Sequence, residues 1–358
     1  MKILVTTINS KYVHTGLGIY AVAGYLRAQN RHEVAVKEYT IQTPLLSILA
    51  DIEPLAADIV GLAVYIWNKE QCLALSQMIK AVRPNCKIVL GGPEVSFNAP
   101  DILRNNPHID YVIQGEGEQV LAQLAAAIAD GTSTALDGVS GQEALSDKIA
   151  VVDNLDSLPF AYKYLNDVDM EGRILYYESS RGCPYRCSYC LSGISHRVRL
   201  RSVPSAISEL QWLIDKKVKQ VKFVDRTYNL TKEHYLPIMR YLAAQDTATN
   251  FHFEIKADLL TPDILEFLAT VPKGRFQLEI GIQTTYAPAL AAINRRNDWE
   301  LLQQNIKKLL GFGNMHIHVD LIAGLPYETY AAFQQSFNDV YALGADMLQL
   351  GFLKILHG

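Results

Sequence analysis

The chain has 358 residues, with 33 Lys and Arg against 37 Asp and Glu, a formal net charge of −4. That mild acidity excludes a protein whose main business is gripping nucleic acid through a basic surface. Hydrophobic residues at 49% and charged residues at 20% exclude a disordered or fibrous chain, and the length is a soft prior for two domains. The longest apolar run, Val60 to Trp67, falls far short of the roughly 18 residues of a membrane helix. The N-terminus turns polar within its first ten residues, MKILVTTINS, and is not a secretory signal. A cytoplasmic protein with no membrane partner and no general nucleic-acid binding is expected.

In chain order, residues 2–8 (KILVTTI) form a β-branched apolar run that reads as a buried strand. A helix follows from Gly16 to Arg27 with Leu17, Ala21, Gly24 and Leu26 at helical spacing. The alternation continues with strand 33–39, helix 43–56, strand 58–66, helix 69–82, strand 87–91, helix 100–105, strand 110–114 and helix 118–129. Such alternation predicts a parallel sheet with helices on both faces and ligands at the carboxyl ends of its strands. Those ends carry Thr7, Asn9 and Ser10, then Tyr65 and Trp67, then Gly91, Gly92 and Glu94, then Gly115, Glu116 and Gly117. Glycines there let a backbone approach a ligand, and the aromatics offer flat walls. Neither pair completes a G-x-G-x-x-G dinucleotide loop, and tight turns alone also explain them. Residues 130–172 lack strong periodicity and read as a boundary, with LDSLPFAYKY expected to dock on the following domain.

The second half opens with strand 174–179, followed at once by a loop carrying Cys183, Cys187 and Cys190. Helix 204–216, strand 220–225, a helix from Thr231, strand 251–256, a helix after Thr261-Pro262, strand 275–282, helix 299–311, strand 316–322, helix 328–342 and strand 346–353 complete it. Three thiolates spaced C-x-x-x-C-x-x-C suit three irons of a cubane cluster or, with a fourth ligand such as His196, a zinc ion. Cys72 and Cys86 stand alone and read as small buried hydrophobes; five cysteines without a signal peptide fit a reducing compartment. Glu254 and Glu279, acids inside apolar strand patterns, need partners such as Lys256 or Arg275.

The C-x-x-x-C-x-x-C loop with Tyr189 before its third cysteine resembles the radical S-adenosylmethionine (radical SAM) superfamily, and the strand series resembles its partial (β/α)6 barrel over nearly the whole second half. The resemblance implies a 4Fe-4S cluster on Cys183, Cys187 and Cys190, with S-adenosylmethionine held by Tyr189, Asp225, Glu254, Glu279, Gln283, Ile322 and Gly324. Phe223-Val224-Asp225-Arg226-Thr227 departs from the Gly-Gly-Glu form usual at the second strand. Asp320 to Glu328 resembles the fifth-strand segment beside adenine.

A flavodoxin-like (Rossmann-like) α/β domain before such a barrel resembles the cobalamin-binding subclass. This implies cobalamin lined by Thr7, Asn9, Ser10, Tyr12, Tyr65, Trp67, Gly91, Gly92, Glu94, Gly115, Glu116 and Gly117. Aligned on His14, the chain has Tyr12 and Leu17 in place of the Asp and Gly of D-x-H-x-x-G, so no histidine ligand to cobalt is expected. The expected organisation is a cobalamin-binding domain over 1–132, a linker over 133–172 and a radical SAM domain over 173–358, followed by a further C-terminal region because nothing after strand 346–353 covers it. The implied activity is reductive cleavage of S-adenosylmethionine to a 5′-deoxyadenosyl radical and methylation of an unactivated carbon via methylcobalamin, with a reductant such as flavodoxin or ferredoxin. The alternatives are a radical rearrangement, cyclisation or oxidation, and a cluster-bearing electron-transfer or sensor module.

Overall fold

The structure, a computed structural model, describes residues 1–164, 170–193 and 197–356. Two compact units divide between residues 173 and 174. His196 and residues 165–169 of the expected linker lie outside the described residues.

In the first unit, β1 (Lys2–Asn9), β2 (Glu33–Thr40), β3 (Ile59–Ala63), β4 (Lys87–Gly91) and β5 (Tyr111–Ile113) alternate with α1 (Leu17–Ala28), α2 (Leu45–Ile52), α3 (Lys69–Val82), α4 (Ala99–Asn105) and α5 (Gly117–Asp130). The sheet order is β2-β1-β3-β4-β5-β6, parallel from β1 through β5. Central β1 is buried from Ile3 through Asn9, which is why its sequence is a continuous apolar run rather than an alternation. The order reverses between β1 and β3, where flavodoxin-like sheets open a ligand crevice.

Three departures from the sequence reading have local causes. Strand β3 stops at Ala63 because the Asn68 amide donates to the carbonyls of Ala63 (3.1 Å) and Ile8 (3.0 Å) and accepts the Tyr65 N–H (2.7 Å), turning the chain out of the ladder. Part of the expected linker forms β6 (Val139–Gly141), antiparallel to β5. The aromatic segment, expected to dock on the following domain, packs on α1 of the first unit. Buried Tyr162 meets Tyr20 of α1 with ring centroids 5.6 Å apart, and Gly24 leaves room for the Ala161 backbone where a Cβ would come within 3.0 Å.

In the second unit β7 (Ile174–Tyr177) leads to a short antiparallel pair, β8 (Ser180–Arg181) and β9 (Arg199–Leu200). Then come α6 (Val203–Asp215), β10 (Gln220–Phe223), α7 (Lys232–Ala244), β11 (Asn250–Ile255), α8 (Pro262–Ala269), β12 (Phe276–Gln283), α9 (Ala287–Ala292), α10 (Trp299–Phe312), β13 (His316–Ala323), α11 (Tyr330–Tyr341) and β14 (Met347–Phe352). The six long strands form one parallel sheet, β14-β13-β12-β11-β10-β7. Side chains alternate along them. Phe251, Phe253, Leu278 and Ile280 are buried on one face, and Asn250, His252, Glu254, Gln277, Glu279 and Gln283 share the other. That polar inner face is the floor of the site. At the end of edge strand β14 and just after it, Phe352 and Ile355 are exposed. Among the described residues no helix is long and apolar enough to cross a membrane.

Candidate functional site

The cysteine loop lies at the carboxyl end of β7. Cys183, Cys187 and Cys190 are all free thiols, the first two buried, and all three line one pocket of about 180 Å³. The loop is held from outside by the Ser188 N–H, which donates to the Ile293 carbonyl (3.1 Å), and from within by the Cys190 N–H, which donates to that of Cys187 (3.0 Å). Polar groups face the sulfurs, with Arg295 Nη1 3.8 Å from Cys187 Sγ and Thr227 Oγ1 3.8 Å from Cys183 Sγ. Three convergent soft donors with a guanidinium and a hydroxyl alongside fit an iron–sulfur cluster that leaves one iron without a protein ligand. Cys72 and Cys86, by contrast, are buried in the first unit's core, where burial pushes their thiols up to about 12 and about 11.

Tyr189, Glu254, Glu279 and Gln283 line the same pocket as the cysteines. Burial pushes the Tyr189 hydroxyl up to about 12 and the Glu254 carboxyl up to about 7. Gln283 has positive φ (71°) at a β-bulge after Gly281, and Arg295 donates to the Gly281 carbonyl there. A Cβ at residue 281 would come within 2.4 Å of the Gln283 side-chain amide nitrogen, so a larger residue there would push that side chain aside.

Asp225 is a different case. It is 1% exposed and does not line the pocket. Its carboxylate accepts the Ser179 N–H (3.0 Å) and the hydroxyls of Ser179 and Ser180 (2.6 Å each), tying the end of β10 to the turn that enters the cysteine loop. Burial raises its pKa to about 6 despite those bonds. Its neighbours Arg226 and Thr227 reach the pocket instead. Ile322 packs beside Tyr189 with Ile293 and Leu325, and Gly324 takes a positive φ of 90°; neither is among the pocket's lining side chains.

The partners of the acids also differ from expectation. Lys256 pairs with Asp258 (2.7 Å), and Arg275 donates to the carbonyls of Leu242, Gln245 and Thr247. Glu279 instead meets Lys222 (2.8 Å) from β10, which also lies 3.9 Å from Glu254. Burial works against the charge on Glu279, but the His252 imidazole and the Lys222 ammonium overcome it and hold the carboxyl well below its usual range. Lys222, Arg226, Thr227 and Arg295 are among the site residues to which the sequence reading gave no role. The strand alternation that places Lys222 on the same face as His252 was the signal available for the first.

In the first unit, Tyr65 and Trp67 stack (4.6 Å, 3° between planes), and Trp67 Nε1 donates to the Ile8 carbonyl, joining the ends of β3 and β1. Thr7 is buried and donates to the Ala63 carbonyl (3.1 Å). Asn9 donates to Glu38 (2.9 Å) and to the His14 carbonyl (3.0 Å), so it shapes the loop that carries Ser10 and Tyr12. Glu38 in turn binds Gly16 N–H (2.6 Å), Tyr20 Oη and the buried Arg173 guanidinium (2.8 Å), whose other nitrogens hold the Tyr12 and His14 carbonyls. Glu94 pairs with Lys69 (3.0 Å), and Glu116 accepts the Val152 N–H (2.7 Å).

The glycines divide sharply. At Gly92 (φ 106°) a Cβ would sit 2.6 Å from the Val64 carbonyl, and at Gly115 (φ 96°) 2.4 Å from that of Ala150. Both are demanded by the chain's own backbone. Gly91 meets only Ile113 at 3.9 Å and Gly117 only Val22 at 3.4 Å, so these two leave space. A stacked aromatic pair with Trp67 46% exposed, a polar β1 end and an unfilled glycine at β4 fit a large planar cofactor at the sheet's carboxyl end.

The family description B12 binding domain matches residues 3–125, and Radical SAM superfamily matches residues 177–340. The chain is 25% identical over 356 residues to 2-(S-pantetheinyl)-carbapenam-3-carboxylate methyltransferase of Streptantibioticus cattleyicolor, covering 90% of this chain and 51% of that protein. It is 24% identical over 353 residues to the anaerobic magnesium-protoporphyrin IX monomethyl ester cyclase of Rubrivivax gelatinosus, covering 91% and 62%. Among solved structures, the radical S-adenosylmethionine methyltransferase TsrM from Kitasatospora setae, with cobalamin and a [4Fe-4S] cluster bound, superposes with a TM-score of 0.78 at 17% identity over 99% of this chain and 72% of that one. The chain spans about half the length of the first of these relatives.

Proposed function

We propose that this chain, which carries a B12-binding domain and belongs through its second half to the radical SAM superfamily, is a cobalamin-dependent radical SAM enzyme that methylates an unactivated carbon. The observation that carries the reading is the convergence of three free cysteines on one strand-end pocket, in a chain whose other half is a B12-binding domain. When bound, the cluster supplies an electron for cleavage of S-adenosylmethionine and cobalamin supplies a methyl carrier.

The chain's own residues bind and orient. Cys183, Cys187 and Cys190 hold the cluster, and Arg295 sets a positive charge beside Cys187. Tyr189, Gln283 and Glu254 face S-adenosylmethionine from the loop, β12 and β11. Asp225 positions the cysteine loop through Ser179 and Ser180 and does not touch the cofactor. In the first half, Ser10, Tyr12, Tyr65, Trp67, Gly91 and Gly117 line cobalamin, while Thr7, Asn9, Gly92, Glu94, Gly115 and Glu116 keep those loops in shape. A small flavodoxin-like or ferredoxin-like reductant and a cytoplasmic setting complete the proposal.

The test is anaerobic incubation of the loaded full chain with S-adenosylmethionine bearing a deuterated methyl group, a reductant and candidate substrates, read by mass spectrometry. S-adenosylhomocysteine and 5′-deoxyadenosine released in equal amounts, with the label in product, support methylation. Deoxyadenosine without label in product favours cyclisation or oxidation, a second reading prompted by the similarity to the anaerobic cyclase. Neither product from a cluster-loaded chain would overturn the radical reading.

A further inference from the structure

Below the cysteines, the polar face of the second sheet brings two imidazoles and a carboxylate together. His252 on β11, Glu279 on β12 and His318 on β13 each offer a ligand atom, and the three atoms lie within 4.8 Å of one another. The two histidines are 8% and 6% exposed as side chains, and Glu279 is 13% exposed. His252 Nε2 is 2.8 Å from Glu279 Oε2 yet makes no hydrogen bond with it, and neither ring nitrogen of His318 makes one either. Buried ring nitrogens without hydrogen bonds are costly, because desolvation of each polar atom goes uncompensated. If these groups formed only a hydrogen-bonded cluster, an N–H of His252 would point along the short line to Glu279.

We propose that His252, Glu279 and His318 form a binding site for one divalent first-row transition metal ion, separate from the cysteine cluster. Bonds of about 2.0–2.2 Å to zinc put neighbouring tetrahedral ligand atoms roughly 3.3–3.6 Å apart. The His252–Glu279 and Glu279–His318 separations of 2.8 and 4.0 Å bracket that spacing, and with all three atoms within 4.8 Å of one another side-chain rotations can close them on one ion. The second ring nitrogen of His318 has a carboxylate within reach, although the two make no hydrogen bond as they stand. With Nδ1 toward Glu279, Nε2 lies 3.1 Å from Asp320 Oδ1, and a carboxylate behind an imidazole fixes the ring and makes it a better ligand. Two imidazoles and one carboxylate select zinc or ferrous iron over magnesium or calcium, which prefer oxygen donors. Glu279 and Asp320 also line the pocket, which gives the ion a way in and leaves its remaining positions open to a substrate oxygen or nitrogen.

Lys222 makes the site testable, because its ammonium rivals a metal ion for Glu279 (2.8 Å) and has Glu254 as an alternative partner at 3.9 Å. A metal site predicts that removing this rival tightens binding; a plain ion-pair network predicts the reverse or nothing. The experiment uses the full chain with Cys183, Cys187 and Cys190 replaced by serine, so that thiolates do not take the probe. Zn²⁺ binding is measured by equilibrium dialysis with metal analysis, and folding is checked by circular dichroism. The expected result is one Zn²⁺ per chain, weakened at least about tenfold by His252→Gln or His318→Gln and tightened by Lys222→Met. The Zn²⁺-induced rise in melting temperature should vanish in the glutamine variants, so a variant of lowered stability still reports. No binding, binding indifferent to both histidines, or weaker binding in Lys222→Met would overturn the assignment. The outcome does not depend on whether the enzyme transfers methyl groups.

Discussion

Replacing Asp225 with asparagine tests the tie between β10 and the cysteine loop. In wild type one carboxylate oxygen takes the Ser179 N–H at 3.0 Å and the other takes two serine hydroxyls at 2.6 Å. Asparagine keeps the first bond, and the hydroxyls can rotate to accept from its NH2 group, so the loss at high pH is modest, about 1 kcal/mol. The pH dependence is the sharper signal. Burial lifts the folded pKa from 3.8 to about 6. The stability linked to this proton is therefore fully present below about pH 4 and is lost as pH rises through about 6. Between pH 5 and pH 8 wild type loses about 1.4 kcal/mol that the non-titrating variant cannot lose. The gap between the two proteins thus narrows from about 2.4 kcal/mol at pH 5 to about 1 kcal/mol at pH 8. Hydrogen exchange of peptides spanning 174–190, corrected for the intrinsic rate at each pH, reads that gap locally without assuming that both units unfold together. The ratio of exchange rates, variant over wild type, should fall about tenfold between pH 5 and pH 8. A ratio that does not change with pH would refute the claim that Asp225 is a buried, desolvated anchor.

Anaerobic reconstitution should load about four irons per chain, and replacing Cys183, Cys187 and Cys190 with alanine should abolish loading; stoichiometric zinc without iron would contradict the cluster. Gly91→Ala should leave the first unit folded and weaken cobalamin uptake, whereas Gly92→Ala and Gly115→Ala should lower its melting temperature, since their Cβ atoms would meet backbone at 2.6 and 2.4 Å; equal stability for all three would sink that division. Glu38→Gln removes the charge facing buried Arg173, and breaking such a pair costs about 3–5 kcal/mol. The first unit's melting temperature should fall by about 6–20 °C in a calorimetric scan, with no change counting against the pair.

The sequence by itself determined the alternation of strands and helices in both halves, because parallel strands buried on two faces must be written as apolar runs such as KILVTTI and the inner-face alternation of FQLEIGIQ. It also determined that Cys183, Cys187 and Cys190 meet at one pocket, since so short a loop brings its thiols together by spacing alone. Tertiary structure alone decided which polar residues meet. Lys222, His252, Glu279 and His318 are separated by up to 96 residues along the chain and become neighbours only when the four strands line up in register. Asp225 and Arg226 show the same limit within one dipeptide: a strand end sends successive side chains to opposite sides, one into the interior as an anchor and the other into the pocket. Gly92 and Gly91 differ for a related reason. Both are plain glycines in the sequence, but whether a missing Cβ leaves space for a ligand or only for Val64 depends on a backbone that folds back from another strand.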